Sequence, residues 1–323
     1  MTAASSLLPG IPTIESPLFE TALPRLDLSE QERQVARDLN ERGYAVIDFP
    51  DPAILERIDR IQQRLLRDYP SALAEPAADK LLGDLRVQDA WKYDADVKAI
   101  AANAEMLSLL SRLYGRRAFP FQTLNFPVGT QQPAHSDAVH FSSQPERFMC
   151  GVWVAFEDIH PDAGPLEYYP GSHRWPILTN LLVGRRGWGQ PLASAQTPFE
   201  DAWSAMVAAA GLAPERFMAR KGQALIWAAN LLHGGSRQAD PTRTRWSQVT
   251  HYFFDDCIYY TPAFSDEPLG KLDMRTITDI ATGAVKPNQL LGERVEPAAA
   301  PMTRPPVRGG VLRRLGQMLK GGA

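Results

Sequence analysis

His135 stands two residues before Asp137 in the run Pro133-Ala134-His135-Ser136-Asp137. In extended backbone, residues i and i+2 point to the same side, so an imidazole and a carboxylate at this spacing can converge on one metal ion. A His-x-Asp pair alone is equally compatible with a surface hydrogen bond. The third donor is His233, which follows the apolar run Gly222–Trp227 and precedes Gly234-Gly235. An imidazole at the end of a buried segment, with glycines that let the backbone turn tightly beside it, is placed to meet the pair across a barrel. Two imidazoles and one carboxylate on one face of an ion leave the other face open, the arrangement of ferrous oxygenases. A structural zinc site would instead be closed by four protein ligands, usually including Cys, and Cys150 and Cys257 sit in no paired motif.

Twelve residues after His233, Arg245 heads the strand-like run Arg245-Trp246-Ser247-Gln248-Val249-Thr250-His251-Tyr252. A guanidinium fixed on a strand beside a metal can clasp a carboxylate through two parallel hydrogen bonds, which suits the distal end of a dicarboxylate cosubstrate. Arg243 competes for this role. Among the remaining histidines, His173 in a Pro-Gly-Ser-His turn reads as a structural hydrogen-bonder and His251 as a strand residue packed near the core. His140 reads equally as a pocket-lining or a loop residue, and His160 as an exposed turn residue.

These residues need elements to hold them. Residues 1–30, rich in Pro, Ser and Thr, read as an extended surface leader. Ser29 is a candidate N-cap, with Glu30 and Glu32 in the first turn of a helix ending near Gly43. Tyr44–Ile47 is β-rich, and apolar spacing predicts further helices over Ile54–Asp68 and Asp96–Tyr114. From about residue 117 the texture changes to strand-length runs punctuated by Pro and Gly: Phe119–Phe126, Gly151–Phe156, Leu166–Tyr169, Ala224–Trp227 and Ser247–Phe254. The expected organisation is one domain over 31–290, with a helical part 31–116 and a β core 117–260. A partly helical insertion, 176–219, is placed to cover one mouth of the barrel. Residues 291–323 form a flexible basic tail in which Val311, Leu312, Leu315, Met318 and Leu319 share one helical face. Contact of 311–320 with an anionic membrane or a partner is the weaker expectation, a solvated terminus the stronger.

The 323 residues carry 34 Lys+Arg against 37 Asp+Glu, a net charge of −3, which speaks against a nucleic-acid backbone as partner. No apolar run reaches the ~18 residues that cross a bilayer. Two cysteines are too few for a disulfide framework, so the expected compartment is the cytoplasm.

The combination resembles the phytanoyl-CoA dioxygenase family of iron(II)- and 2-oxoglutarate-dependent oxygenases. The resemblance is carried by His135-Ser136-Asp137, by Gly164-Pro165-Leu166-Glu167-Tyr168-Tyr169-Pro170-Gly171-Ser172-His173, and by Leu232-His233-Gly234-Gly235-Ser236. Arg245 followed by x-Ser-x-x-x-His-Tyr completes it and decides against Arg243, and Arg86-Val87-Gln88-Asp89 matches more weakly upstream. The resemblance implies a double-stranded β-helix, or jelly-roll, core with N-terminal helices packed on it, an α+β fold that is mainly β. It implies iron(II) held by His135, Asp137 and His233, and 2-oxoglutarate held by Arg245, with Trp153 and Gln122 as further contacts and Arg86 as a second cation. Ser236 is a further candidate contact, although the turn carries one glycine more than is usual in relatives. The activity implied is hydroxylation of a small organic substrate by dioxygen, with release of succinate and carbon dioxide. Rival readings are a non-catalytic metal-binding or sensor barrel, and a metal-dependent isomerase or hydrolase using His140.

Overall fold

The computed structural model describes residues 7–66, 86–190 and 196–296. The first long helix, α2 (Glu30–Arg42), begins in a capping box. The Ser29 hydroxyl accepts from the Glu32 amide at 3.3 Å and the Glu32 carboxylate accepts from the Ser29 amide at 2.7 Å. Gly43 ends the helix in the left-handed region at φ 83°. Helix α3 (Ile54–Leu66) buries Ile54, Ile58, Ile61 and Leu65 on one stripe.

Two expectations are corrected here. The stretch Asp96–Tyr114 is two helices, α4 (Ala95–Ala101) and α5 (Ala104–Tyr114). Asn103 leaves helical geometry at ψ 125° so that its side chain can accept from the Met106 amide at 2.9 Å, and capping competes successfully with continuation. Nor do residues 7–28 form an extended surface leader. Short turns at Thr13–Glu15 and Leu23–Arg25, with α1 (Phe19–Ala22) between them, drive Ile14, Phe19, Leu23 and Leu28 into the core. The intervening prolines break the apolar periodicity that a sequence reading depends on.

Six strands form an antiparallel sheet in the order β1 (Tyr44–Asp48), β8 (Gln223–Ala228), β5 (Met149–Ala155), β10 (Ser247–Phe254), β3 (Ala118–Phe126) and β2 (Val87–Gln88). Its two faces divide by strand parity. Val152, Val154, Ile226 and Phe119 join the helices in one core, while Trp153, Leu225, Trp227, Leu124 and Val249 face inward. A second sheet, β7 (Glu215–Phe217), β6 (Leu166–Tyr168) and β9 (His233–Gly235), supplies Phe217, Leu166 and Tyr168 to that inner core. The two sheets are the halves of a jelly roll. A small ladder of β4 (Ser142–Gln144) and β11 (Ile258–Tyr260) flanks them.

Within the 176–219 insertion, α6 (Thr197–Ala210) packs Phe199 and Trp203 with Val139, Leu178, Leu232 and Ala263. Residues 261–296 continue past the expected end of the core in short hairpins, Ile277–Thr278 with Val285–Lys286 and Gln289–Leu290 with Glu293–Arg294. The expected amphipathic face at 311–320 lies outside the described residues. No described helix is long and apolar enough to cross a membrane.

Candidate active site

His135 and His233 are backbone partners across an isolated bridge: the His135 amide donates to His233 O at 2.9 Å and the His233 amide to His135 O at 3.0 Å. Each ring is oriented by a local carbonyl. His135 Nδ1 lies 2.9 Å from Pro133 O and His233 Nδ1 3.0 Å from Leu231 O. With the Nδ1 protons directed to those carbonyls, the lone pairs of both Nε2 atoms are available to a metal. Burial and the neighbouring His233 pull the His135 pKa down to about 3, so its ring is neutral at physiological pH.

Asp137 opens a single 3₁₀ turn, Asp137–Val139, rather than continuing a strand. The Ser136 hydroxyl is within hydrogen-bond reach of Ala229 O (3.2 Å) and Asn230 Oδ1 (3.0 Å), which ties this turn to the segment leading into His233. One ligand atom from each of His135, Asp137 and His233 lies within 4.8 Å of the others, and all three residues are buried. Burial opposes ionisation of Asp137, but His233, His251 and His135 outweigh it and hold the carboxyl well below the usual range. A buried carboxylate with the Nε2 atoms of two imidazoles beside it is a donor set that fits a divalent cation.

Behind Asp137 stands a row across the inner face of the large sheet. Gln122 of β3 pairs with His251 of β10, His251 with Gly151 of β5, and Gly151 with Trp227 of β8. Trp227 Nε1 donates to Asp137 Oδ2 at 2.9 Å, and His251 Nε2 lies 3.4 Å from the same oxygen. Gly151 makes this possible, because a Cβ there would fall 2.1 Å from the Trp227 ring. Sequence reasoning placed Trp227 and His251 on core strands without a site role. Their parity with Leu225 and Val249 was readable, but the register that aims them at Asp137 was not.

Arg245 is buried just ahead of β10, and burial pulls its pKa down to about 10 against the opposing field of Glu157. Its Nε and Nη1 find no hydrogen-bond partner among the described residues, and neither does Trp153 Nε1. The guanidinium carbon stands 5.6 Å from the Trp153 ring centre. A buried cation and a buried indole N–H without protein acceptors are donors suited to a ligand carboxylate. Gly129 belongs to the same construction: a Cβ there would lie 2.8 Å from Gly164 O.

A cavity of about 550 Å³ joins these groups, lined by His135, Asp137, His233, Arg245, Trp153 and Gln122 and also by Arg86. Gln122 reaches it with its amide already engaged, Oε1 lying 3.1 Å from His251 Nδ1. Ser236 does not join. Its hydroxyl donates to Pro165 O at 2.8 Å, and it is not among the described residues that line the cavity. Arg243 instead forms an ion pair with Asp240 at 3.1 Å. His140 lines the cavity, and its Nε2 lies 3.3 Å from Gln196 Oε1, so the insertion does reach the cavity wall. His173 is a brace, with Nε2 3.1 Å from Asn40 O, and Ser172 Oγ beside it accepts from the Leu232 amide at 2.9 Å.

Comparisons with known proteins agree with this geometry. The family model for phytanoyl-CoA dioxygenase matches residues 39–243. A curated relative from Danio rerio, phytanoyl-CoA dioxygenase domain-containing protein 1, is 35% identical over 60 residues, which span 19% of this chain and only 21% of the relative. Among solved structures, SnoK, a non-heme alpha ketoglutarate dependent carbocyclase from nogalamycin biosynthesis, superposes with a TM-score of 0.56 at 16% identity, covering 84% of this chain and 95% of that one. EctD from S. alaskensis with 2-oxoglutarate and 5-hydroxyectoine gives 0.53 at 19% identity, covering 86% and 88%. At such identities the structural likeness establishes the jelly-roll fold. The family match runs over well more than half of the sequence, from α2 to the segment before β10, and the chain belongs to the phytanoyl-CoA dioxygenase family of iron(II)- and 2-oxoglutarate-dependent oxygenases.

Proposed function

We propose that this protein hydroxylates an unactivated C–H bond of a small organic molecule, using iron(II), 2-oxoglutarate and dioxygen and releasing succinate and carbon dioxide. The observation that carries this is the meeting of three buried donors, His135, Asp137 and His233, with a buried, unsatisfied guanidinium in one cavity. His135, Asp137 and His233 would hold the iron. Arg245 would grip the distal carboxylate of 2-oxoglutarate, with Trp153 Nε1 as a further donor. Iron chelated by the 2-oxo acid supplies the activation of dioxygen that no protein side chain can provide.

The chain's own residues do the rest. Pro133 O and Leu231 O keep the ligand imidazoles aimed. Leu124, Phe126, Leu166 and Val249 wall the cavity with hydrocarbon and exclude water. Asp137 occupies the third protein position, so no place is left for a halide, which favours hydroxylation over halogenation. Residues 31–290 act as one domain on this reading, and the buried, unpaired Cys150 and Cys257 support a reducing, cytoplasmic setting.

Anaerobic titration with iron(II) and 2-oxoglutarate should give the weak visible charge-transfer band of the chelate, and admitting air should yield succinate. Folded protein showing neither would overturn the proposal. Asp137→Ala should abolish both. Arg245→Ala should raise the 2-oxoglutarate Kd roughly 30-fold or more, the cost of about 2 kcal/mol or above for losing one partner of a buried charge pair. Equal affinity in variant and parent would assign the clamp elsewhere.

A further inference from the structure

The Arg245 guanidinium is aimed without a grip on its own head group. Its Nε and Nη1 meet no acceptor among the described residues, so the direction of the side chain is set by the backbone from which it leaves. That backbone lies two residues ahead of β10, where ladder pairing with β3 and β5 is ending. On the β3 side the Arg245 amide donates to Pro127 O at 3.0 Å. On the β5 side the Phe156 amide donates to Trp246 O at 2.9 Å.

Glu157 follows Phe156, and both of its carboxylate oxygens engage the residues that flank Arg245. Oε1 accepts from the Trp246 amide at 2.5 Å and Oε2 from the Thr244 hydroxyl at 2.8 Å. Hydrogen bonds to an ionised acceptor are the strong kind, and here they bracket one residue. Trp246 is buried in the core that faces the helices, while Arg245, on the opposite side of the chain, lines the cavity. Glu157 is not among the described residues that line the cavity, so its influence on a ligand passes through Arg245. Burial raises the Glu157 pKa, opposed by its two hydrogen bonds and by the fields of Arg245 and Lys221, the latter ion-paired with Asp59. The field of Glu157 in turn favours the charged form of Arg245.

We propose that Glu157 is the positioning residue of the cosubstrate clamp: by holding Thr244 and Trp246 it fixes the backbone from which Arg245 reaches the distal carboxylate of 2-oxoglutarate. Preference for a 2-oxo diacid over a 2-oxo monoacid therefore depends on a side chain that touches neither the metal nor the cosubstrate. This rests on the iron and 2-oxoglutarate reading of the cavity.

The test compares 2-oxoglutarate with 2-oxopentanoate, which has a methyl group in place of the distal carboxylate, by anaerobic titration of iron(II)-loaded protein followed through the chelate band. The parent should bind the diacid more tightly. Glu157→Ala should reduce the ratio of the two affinities about tenfold or more, through the diacid alone, because small misplacements of a binding group are felt on that scale. Thr244→Val, which deletes one of the two hydrogen bonds, should reduce the ratio about threefold. Glu157→Gln keeps an acceptor for the Trp246 amide and a donor that the Thr244 hydroxyl can accept, and should stay within about threefold of the parent. A ratio unchanged in both Glu157→Ala and Thr244→Val overturns the proposal. So does an equal loss of affinity for both oxo acids, which is what a merely structural role would produce. Collapse of the ratio in Glu157→Gln as far as in Glu157→Ala overturns it too, by making the charge and not the hydrogen bonds the operative feature. If Glu157→Ala does not fold, Thr244→Val and Glu157→Gln decide. A parent with no chelate band, or with no preference for the diacid, fails the functional reading itself, whereas a parent with both, unaltered in the variants, removes only the role of Glu157.

Discussion

At the scale of single residues, the Asp137 carboxylate depends on neighbours far away in sequence. Trp227 Nε1 donates to its Oδ2, and Gly151 keeps the space in which that indole lies. Groups that hydrogen-bond a metal-ligating carboxylate set its orientation, and their removal typically costs 10–100-fold in metal affinity. Trp227→Phe keeps most of the ring and deletes the N–H. It should weaken iron(II) binding by about tenfold in competition with a chromophoric chelator, while leaving the thermal midpoint within a few degrees of the parent. Unchanged iron affinity would reduce Trp227 to a packing residue. The same row explains Gln122, whose amide reaches the cavity but is already engaged by His251.

Among the elements, the insertion is where the site meets variable structure. Helix α6 is seated by Phe199 and Trp203, whose rings stack at 5.8 Å and pack with Val139 in the turn that carries Asp137. Just before the helix, Gln196 is hydrogen-bonded to both Gln132 and His140. Removing Trp203 should therefore cost stability and also loosen the substrate side of the cavity. Trp203→Ala should lower unfolding free energy by about 3 kcal/mol in urea titrations, within the range for large-to-small aromatic changes. An unchanged unfolding free energy would show that Trp203 does not seat α6.

For the molecule as a whole, buried histidine couples the fold to pH. His173 is almost fully buried against α2, and burial, reinforced by Arg174 and Arg147 and opposed by its hydrogen bond to Asn40 O, pulls its pKa down to about 4. In the unfolded chain the ring titrates near 6.5, so between these values the unfolded state binds a proton that the native state does not. Stability contributed by this residue is therefore intact above pH 6.5 and is lost as pH falls toward 4, by at most about 3 kcal/mol. His135 shifts in the same direction in the metal-free protein. Urea unfolding of the apoprotein at pH 7, 6, 5 and 4.5 should show this decline, with a shallower slope in His173→Gln. Parallel slopes for the two proteins would exclude His173 as a source.

The sequence by itself pointed to the three candidate donors that the structure brings together, and to the kind of scaffold. His135-x-Asp137, His233 and Arg245 are legible because metal and carboxylate chemistry demands those residue types, and strand runs are legible because side-chain parity is a local property. Tertiary structure alone decided which parity rows meet. The alignment of Gln122, His251, Gly151 and Trp227 depends on the register of four strands brought together from residues 118 to 254. The same holds for the break at Asn103, the burial of Ile14 and Phe19, the diversion of the Ser236 hydroxyl to Pro165, and the arrival of Arg275 beside His140. Each of these is settled by packing and hydrogen-bond competition between segments distant along the chain, and such energies leave no periodic trace in any one of them.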